Sequence, residues 1–221
     1  MIIKTKGIVF RFAKFGESSA MATIFTEVAG LQAYVLKGVR SSKAGNKMAL
    51  IQPLTILDLV VYHKETSTSQ HIREIKCHHV YKSIPQDLTK KTIAFFIAEI
   101  LNRAVKEQSH PEELYHFLER ALISLDEMNN GKENFHLIFL IQLSRQLGFG
   151  PGQWSEITNN RSIASEDADI LQKLLSNESF HDNLSGQKRR EILNLLLDFY
   201  KDHIDQMGKI RSVEVLREIL A

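Results

Sequence analysis

At 221 residues, with 43% hydrophobic and 24% charged side chains, the chain has the make-up of a folded globular protein, either one large domain or two modest ones. No apolar run approaches the roughly 18 residues needed to span a bilayer, and Lys4, Lys6 and Arg11 interrupt the N-terminus too early for a signal peptide. A single cysteine, Cys77, excludes an internal disulfide framework and a multi-cysteine zinc ribbon, so the cytoplasm is the expected compartment.

The net charge of +2 conceals an asymmetry. Residues 1–83 carry 12 Lys and Arg against 5 Asp and Glu, whereas residues 84–221 carry 16 against 21. A basic first half joined to an acidic second half points to a polyanion as partner of the first.

In chain order, the first half reads as strands. Residues 2–12 are rich in β-branched and aromatic side chains and end near Gly16. Residues 20–26 form a second strand, closed by Ala29-Gly30, and residues 31–39 a third, with Leu31, Ala33 and Val35 on one face and Gln32 and Tyr34 on the other. A basic, acid-free loop follows, carrying Lys37, Arg40, Lys43 and Lys47. Residues 50–63 make a fourth strand with Pro53 near its start, and residues 71–81 a fifth, with a bulge bracketed by Ile72 and Ile75. Five short strands with glycine-marked turns predict a small closed barrel, which removes exposed sheet edges.

After Pro85 the period changes to that of helices. Residues 88–106 carry an apolar stripe of Ile93, Phe96, Ile97, Ile100, Leu101 and Ala104. Pro111 with Glu112 and Glu113 opens a second helix. Residues 135–147 are apolar on almost every side, which predicts a central buried helix stopped by Gly148. A loop over residues 148–165, a short helix over 166–175, a long one from 187 to about 207 capped by Ser185, and a last one over 213–220 complete the chain. The fold class is therefore α+β, with a barrel over residues 1–83 and an all-α domain over 84–221.

Catalytic chemistry is poorly represented. On a strand only Cys77 and His79 of the Cys77-His78-His79 run share a face, and His63 and His71 do not complete a zinc spacing with them. Gly148-Phe-Gly-Pro-Gly152 follows a helix and lacks a Lys-Ser/Thr pair, so it is a helix terminator rather than a phosphate loop. No nucleophile elbow, HExxH or EF-hand loop is present. The expectation is no enzyme, no metal and no cofactor. The basic residues say more. Arg11, Lys14, Lys37, Arg40, Lys43, Lys47, Arg73 and Lys76 all belong to the predicted barrel, and a cationic track with aromatic platforms suits single-stranded nucleic acid. Among Phe10, Phe12, Phe15, Tyr34 and Tyr62, the expected exposed stackers are Phe15 and Tyr34. Lys188-Arg189-Arg190 is either a second phosphate contact or a solvated charge run.

Several of these segments resemble the RecO family of bacterial recombination mediators. They are Gly7-Ile-Val-Phe10 with Phe15-Gly-Glu-Ser-Ser19, then Phe25-Thr-Glu-Val-Ala-Gly30 with Lys37-Gly-Val-Arg-Ser-Ser-Lys43, and Leu50-Ile-Gln-Pro-Leu54. Leu147-Gly-Phe-Gly-Pro151 and the ending with Tyr200, His203 and residues 211–220 follow in the same order. The resemblance implies an OB-fold followed by a helical domain, and binding of single- and double-stranded DNA with annealing of complementary strands. It further implies a complex with RecR and contact with the C-terminal tail of single-strand-binding protein. Together these load RecA without nucleotide hydrolysis, in a bacterial cytoplasm and at the nucleoid during repair. The alternative is an adaptor that binds RecR and that acidic tail without annealing DNA itself. One departure stands out: the four-cysteine zinc module that many relatives carry after the Gly-Phe-x-Pro signature has no counterpart in residues 152–165. Packing around Trp154 and Ile163 is the expected substitute.

Overall fold

The computed structural model describes residues 1–39, 47–64, 66–106, 110–176 and 184–220. They form two compact units, residues 1–81 with 105–123, and residues 82–104 with 124–221.

In the first unit, β1 (Ile2–Phe15), β2 (Ser19–Thr26), β3 (Gly30–Leu36), β4 (Ile56–Tyr62) and β5 (Gln70–His79) close into a barrel in the order β1-β2-β3-β5-β4. All pairings are antiparallel except the short parallel contact of β3 with β5. The long β1 serves both neighbours, pairing through residues 2–8 with β4 and through residues 7–15 with β2. At the crossover Gly7 pairs with both Thr26 and Leu57. A Cβ there would meet Ile24 Cγ2 at 2.7 Å, so only glycine lets the two neighbours close together. Alternate residues Ala20, Ala22, Ile24, Tyr34, Leu36, Leu57, Leu59 and Val61 fill the interior.

One local expectation changes and another is met. The fourth strand does not begin at residue 50, because Lys47–Leu50 form a short helix, α1, and Leu54 takes a left-handed φ of 66°. Its N–H donates to Val9 O at 2.6 Å, and the chain becomes extended only at Ile56. On β5 the pairing steps from Val61↔Ile72 to Val60↔Glu74, which makes Arg73 the extra residue of a bulge.

The helices are α2 (Leu88–Ala104), α3 (Pro111–Glu127), α4 (Phe135–Gln146), α5 (Trp154–Ile157), α6 (Ser165–Leu175), α7 (Gly186–His203) and α8 (Ser212–Ile219). The first unit takes in a stretch of the helical region beside the barrel. Residues 105–123 of the helical region group with the barrel, where Glu119 of α3 meets Lys6 at 3.1 Å and His116 meets Glu27 at 3.3 Å.

In the second unit α4 is central, burying Phe135, Leu137, Phe139, Leu140, Ile141 and Leu143. Tyr200 of α7 donates its hydroxyl to Leu140 O at 2.6 Å. Asp126 accepts the N–H groups of Lys82, Ser83 and Ile84 at 2.8–2.9 Å, fixing the chain as it enters the helices. The segment after the Gly-Phe-Gly-Pro signature is held differently from the expectation. Trp154 and Ile163 are only partly buried, and the buried residue is Ile157 of α5, with Glu156 accepting the Gly152 N–H at 3.0 Å. No helix among the described residues is long and apolar enough to cross a membrane.

Candidate nucleic-acid interface

Strand parity sorts the predicted site residues onto different parts of the barrel. Val9 and Phe12 pack on the interior, with a register shift between Val9 and Arg11, so Arg11, Ala13 and Phe15 face outwards. Their cross-strand partners are Thr23, Met21 and Ser19 of β2, and Thr23 and Met21 pair in turn with Ala33 and Val35 of β3. The result is a three-stranded outer surface with small or apolar side chains in the middle, Arg11 at one side and Phe15 at the end. Arg11 and Phe15 are exposed, Phe15 by 49%. The Arg11 Nε–H donates to Thr23 Oγ1 at 3.2 Å, which lays the guanidinium along the sheet.

Lys14 pairs with Ala20, and Ala20 with Leu36, both interior residues. Lys14 therefore continues the inward face past the end of the barrel and rims its mouth, exposed. Lys37, also exposed, follows Leu36 at that same end. Among the described residues no carboxylate pairs with Arg11, Lys14 or Lys37. β5 starts beside β3 at this end, Gln70 opposite Tyr34, so the β1–β2 turn, the end of β3 and the β4–β5 loop converge. These are the strands and loops with which OB barrels hold oligonucleotides.

The other predicted residues lie elsewhere. Lys76 faces outwards opposite Asp58 and lines a groove of about 490 Å³ with Lys4, Lys6, Glu27, Asp58 and Glu74. Cations and acids alternate there, so the groove offers no net attraction to a phosphate backbone. Arg73, on the bulge, is 3.5 Å from Glu74. Arg40 and Lys43 lie outside the described residues, as does the side chain of Lys47, whose backbone opens α1.

Tyr34 is not a stacking platform. It is fully buried, because Gln32, Tyr34 and Leu36 take the inner face and Tyr34 stands opposite the small Ala22. Its ring fills the space that alanine leaves, and burial pushes its phenol pKa up. Phe10 is equally buried and Phe12 packs against the barrel core. The exposed aromatic that the sequence argument passed over is Tyr62, 49% in solvent. Its signal was the alternation Leu57, Leu59, Val61, which puts residue 62 outside.

The basic run on α7 is engaged within its own unit. Lys188 Nζ meets Asp167 at 2.7 Å and Glu191 at 3.0 Å. Arg189 is buried and donates to Asn134, Leu184 and Leu220, and Arg190 donates to Arg217 O. No group of His, Cys, Asp and Glu among the described residues is arranged to hold a metal ion. Cys77 Sγ donates to His79 O at 3.1 Å, and His78 turns to Asp58 and Glu119.

Comparison with known proteins bears directly on this arrangement. Residues 1–81 match the family described as Recombination protein O N terminal, and residues 85–156 match Recombination protein O C terminal. The chain is 34% identical to the DNA repair protein RecO of Flavobacterium johnsoniae, with the whole of both chains covered. It is 31% identical to that of Christiangramia forsetii and 30% identical to that of Bacteroides fragilis, with 99% of each chain covered. Barrel, helices and both family matches lead to one conclusion: this chain belongs to the RecO family, whose matched members are DNA repair proteins.

Proposed function

We propose that this chain acts in DNA repair and recombination as a non-catalytic mediator. It binds single-stranded DNA on the outer face and at the mouth of the barrel, anneals complementary strands and, with RecR, loads RecA onto strands coated by single-strand-binding protein. The observation that carries this reading is the group of Arg11, Lys14 and Lys37, exposed, without carboxylate partners among the described residues and set beside Phe15 at the end where the binding loops of an OB barrel meet. Cations hold the phosphates and a ring stacks a base, which gives affinity with little sequence preference. Annealing needs this kind of grip, because a face that holds backbone and ring planes leaves base edges free to pair. The bacterial cytoplasm is where such a mediator works.

The test is annealing of complementary strands coated with single-strand-binding protein, with and without the protein, and with Lys14→Glu/Lys37→Glu. The expected outcome is acceleration by the unaltered protein and its loss in the double variant. If the double variant anneals at the unaltered rate, the face described above is not the DNA site.

A further inference from the structure

We propose that Tyr62 and His71, with Ile2 beside them, form a second platform on which an unpaired base of single-stranded nucleic acid stacks. The proposal rests on the DNA-binding face above and extends it around the barrel onto β4 and β5.

Register carries the argument. Ile2 pairs with Tyr62, Tyr62 with His71, His71 with Val35, Val35 with Met21 and Met21 with Ala13. These pairs form one continuous row crossing all five strands. Ile3, Val61 and Ile72 pack on the interior, so their neighbours Ile2, Tyr62 and His71 point outwards. Ile2 is 51% and Tyr62 49% exposed, and His71 is exposed as well.

A single exposed ring on a surface carries no message. Here two ring-bearing residues are direct cross-strand neighbours, with Cβ atoms about 5 Å apart on a pleated surface. Val35, only 8% exposed, and the half-buried Met21 carry the row on towards β1, where Ala13 lies two positions from Phe15. An exposed ring thus stands near each end of the row, four strand spacings apart around the closed barrel, an arc of about 19 Å. That span suits the roughly 4–16 nucleotides an OB barrel covers. An exposed cation flanks the new platform, Lys64 just past Tyr62 along the chain. The row itself carries no acid. Flat rings beside an exposed cation fit a base and its phosphate. The apolar area is small and interrupted by an imidazole, which suits an apolar protein surface poorly.

The experiment uses the full chain, fluorescence anisotropy with a labelled thymidine oligonucleotide of about 20 residues, slightly longer than one OB site, and a salt titration. Tyr62→Ala weakens binding about tenfold and leaves the salt slope unchanged, because losing a ring releases no counterion. Tyr62→Phe, which keeps the ring, binds like the unaltered protein. An oligonucleotide containing 5-iodouracil crosslinks to Tyr62 in the unaltered chain. Unchanged affinity in both Tyr62→Ala and His71→Ala, with crosslinks confined to the Phe15 side, overturns the platform and leaves the basic face standing. A change in self-association without a change in oligonucleotide affinity assigns the row to a protein contact and overturns it too. Failure of the unaltered protein to bind the oligonucleotide at all overturns both this proposal and the function on which it rests.

Discussion

His136 shows at the scale of one residue how burial sets a chemical property. It is 1% exposed in the core of the second unit, edge-on to Phe96. Burial, reinforced by the Arg189 charge, depresses its pKa from 6.5 to about 3. The unfolded chain therefore binds a proton below pH 6.5 that the folded chain refuses, so stability falls as the pH drops from 6.5 towards 3. The slope from this one group is at most about 1.4 kcal/mol per pH unit. Denaturant melts at pH 7, 6 and 5 should show this loss, and His136→Leu should flatten it. An equal slope in the variant would mean that His136 is not the group responsible. Tyr34 teaches the complementary lesson about legibility. Its strand was readable from composition, but which face of a strand points inwards depends on the partner strand, and Ala22, its partner, lies twelve residues earlier in the sequence. Tyr62, one of the five candidate platforms, takes the exposed place expected of Tyr34.

At the scale of elements, the helices were easier to read than their attachments. The apolar stripes of α2 and α3 and the all-round apolar α4 follow from periodicity within a single segment. The closed barrel and its bulge were legible for a similar reason, since Gly16 and Gly30 punctuate strands of clear composition. What local sequence could not show is how short elements are held, as α8 demonstrates. It has eight residues, too few to be stable alone. Glu99, from the middle of α2, accepts the N–H groups of Arg211 and Ser212 at 3.0 and 2.8 Å and the Ser212 hydroxyl at 2.7 Å. Burial opposes the Glu99 charge, but these donors win and hold its pKa below the usual glutamate value. The carboxylate thus caps a helix 112 residues distant, where the positive end of the dipole favours it. Glu99→Ala should cost about 2 kcal/mol of stability, and hydrogen exchange of residues 212–219 should quicken before that of α4. Because the folded pKa is lowered, the contribution is complete above the unfolded value near 4.3 and fades as the pH falls through the lowered one. Uniform exchange across both helices would show that Glu99 does not govern α8 separately.

At the scale of the whole molecule, counting cations overstates what a polyanion can reach. The first 83 residues hold 12 Lys and Arg, yet Lys6 is paired with Glu119, Arg73 with Glu74, and Lys76 faces Asp58 across the sheet. In the acidic half, Lys188 is bound to three carboxylates and Arg189 is buried. A paired cation contributes little counterion release, because the anion beside it already neutralises it. Salt dependence therefore measures free cations rather than total charge. Arg11, Lys14 and Lys37 together should give a slope of log K against log salt of about −2 on single strands, at roughly −0.7 for each phosphate contact, before any contribution from Arg40, Lys43 and Lys47. Lys14→Ala and Lys37→Ala should each reduce the steepness by about 0.7, while Lys76→Ala, of identical charge change, should leave it alone. Anisotropy titrations from low to moderate salt resolve these differences. If all three variants shift the slope equally, net charge rather than the sorted face draws DNA to the barrel, and the division made by strand parity has no functional weight.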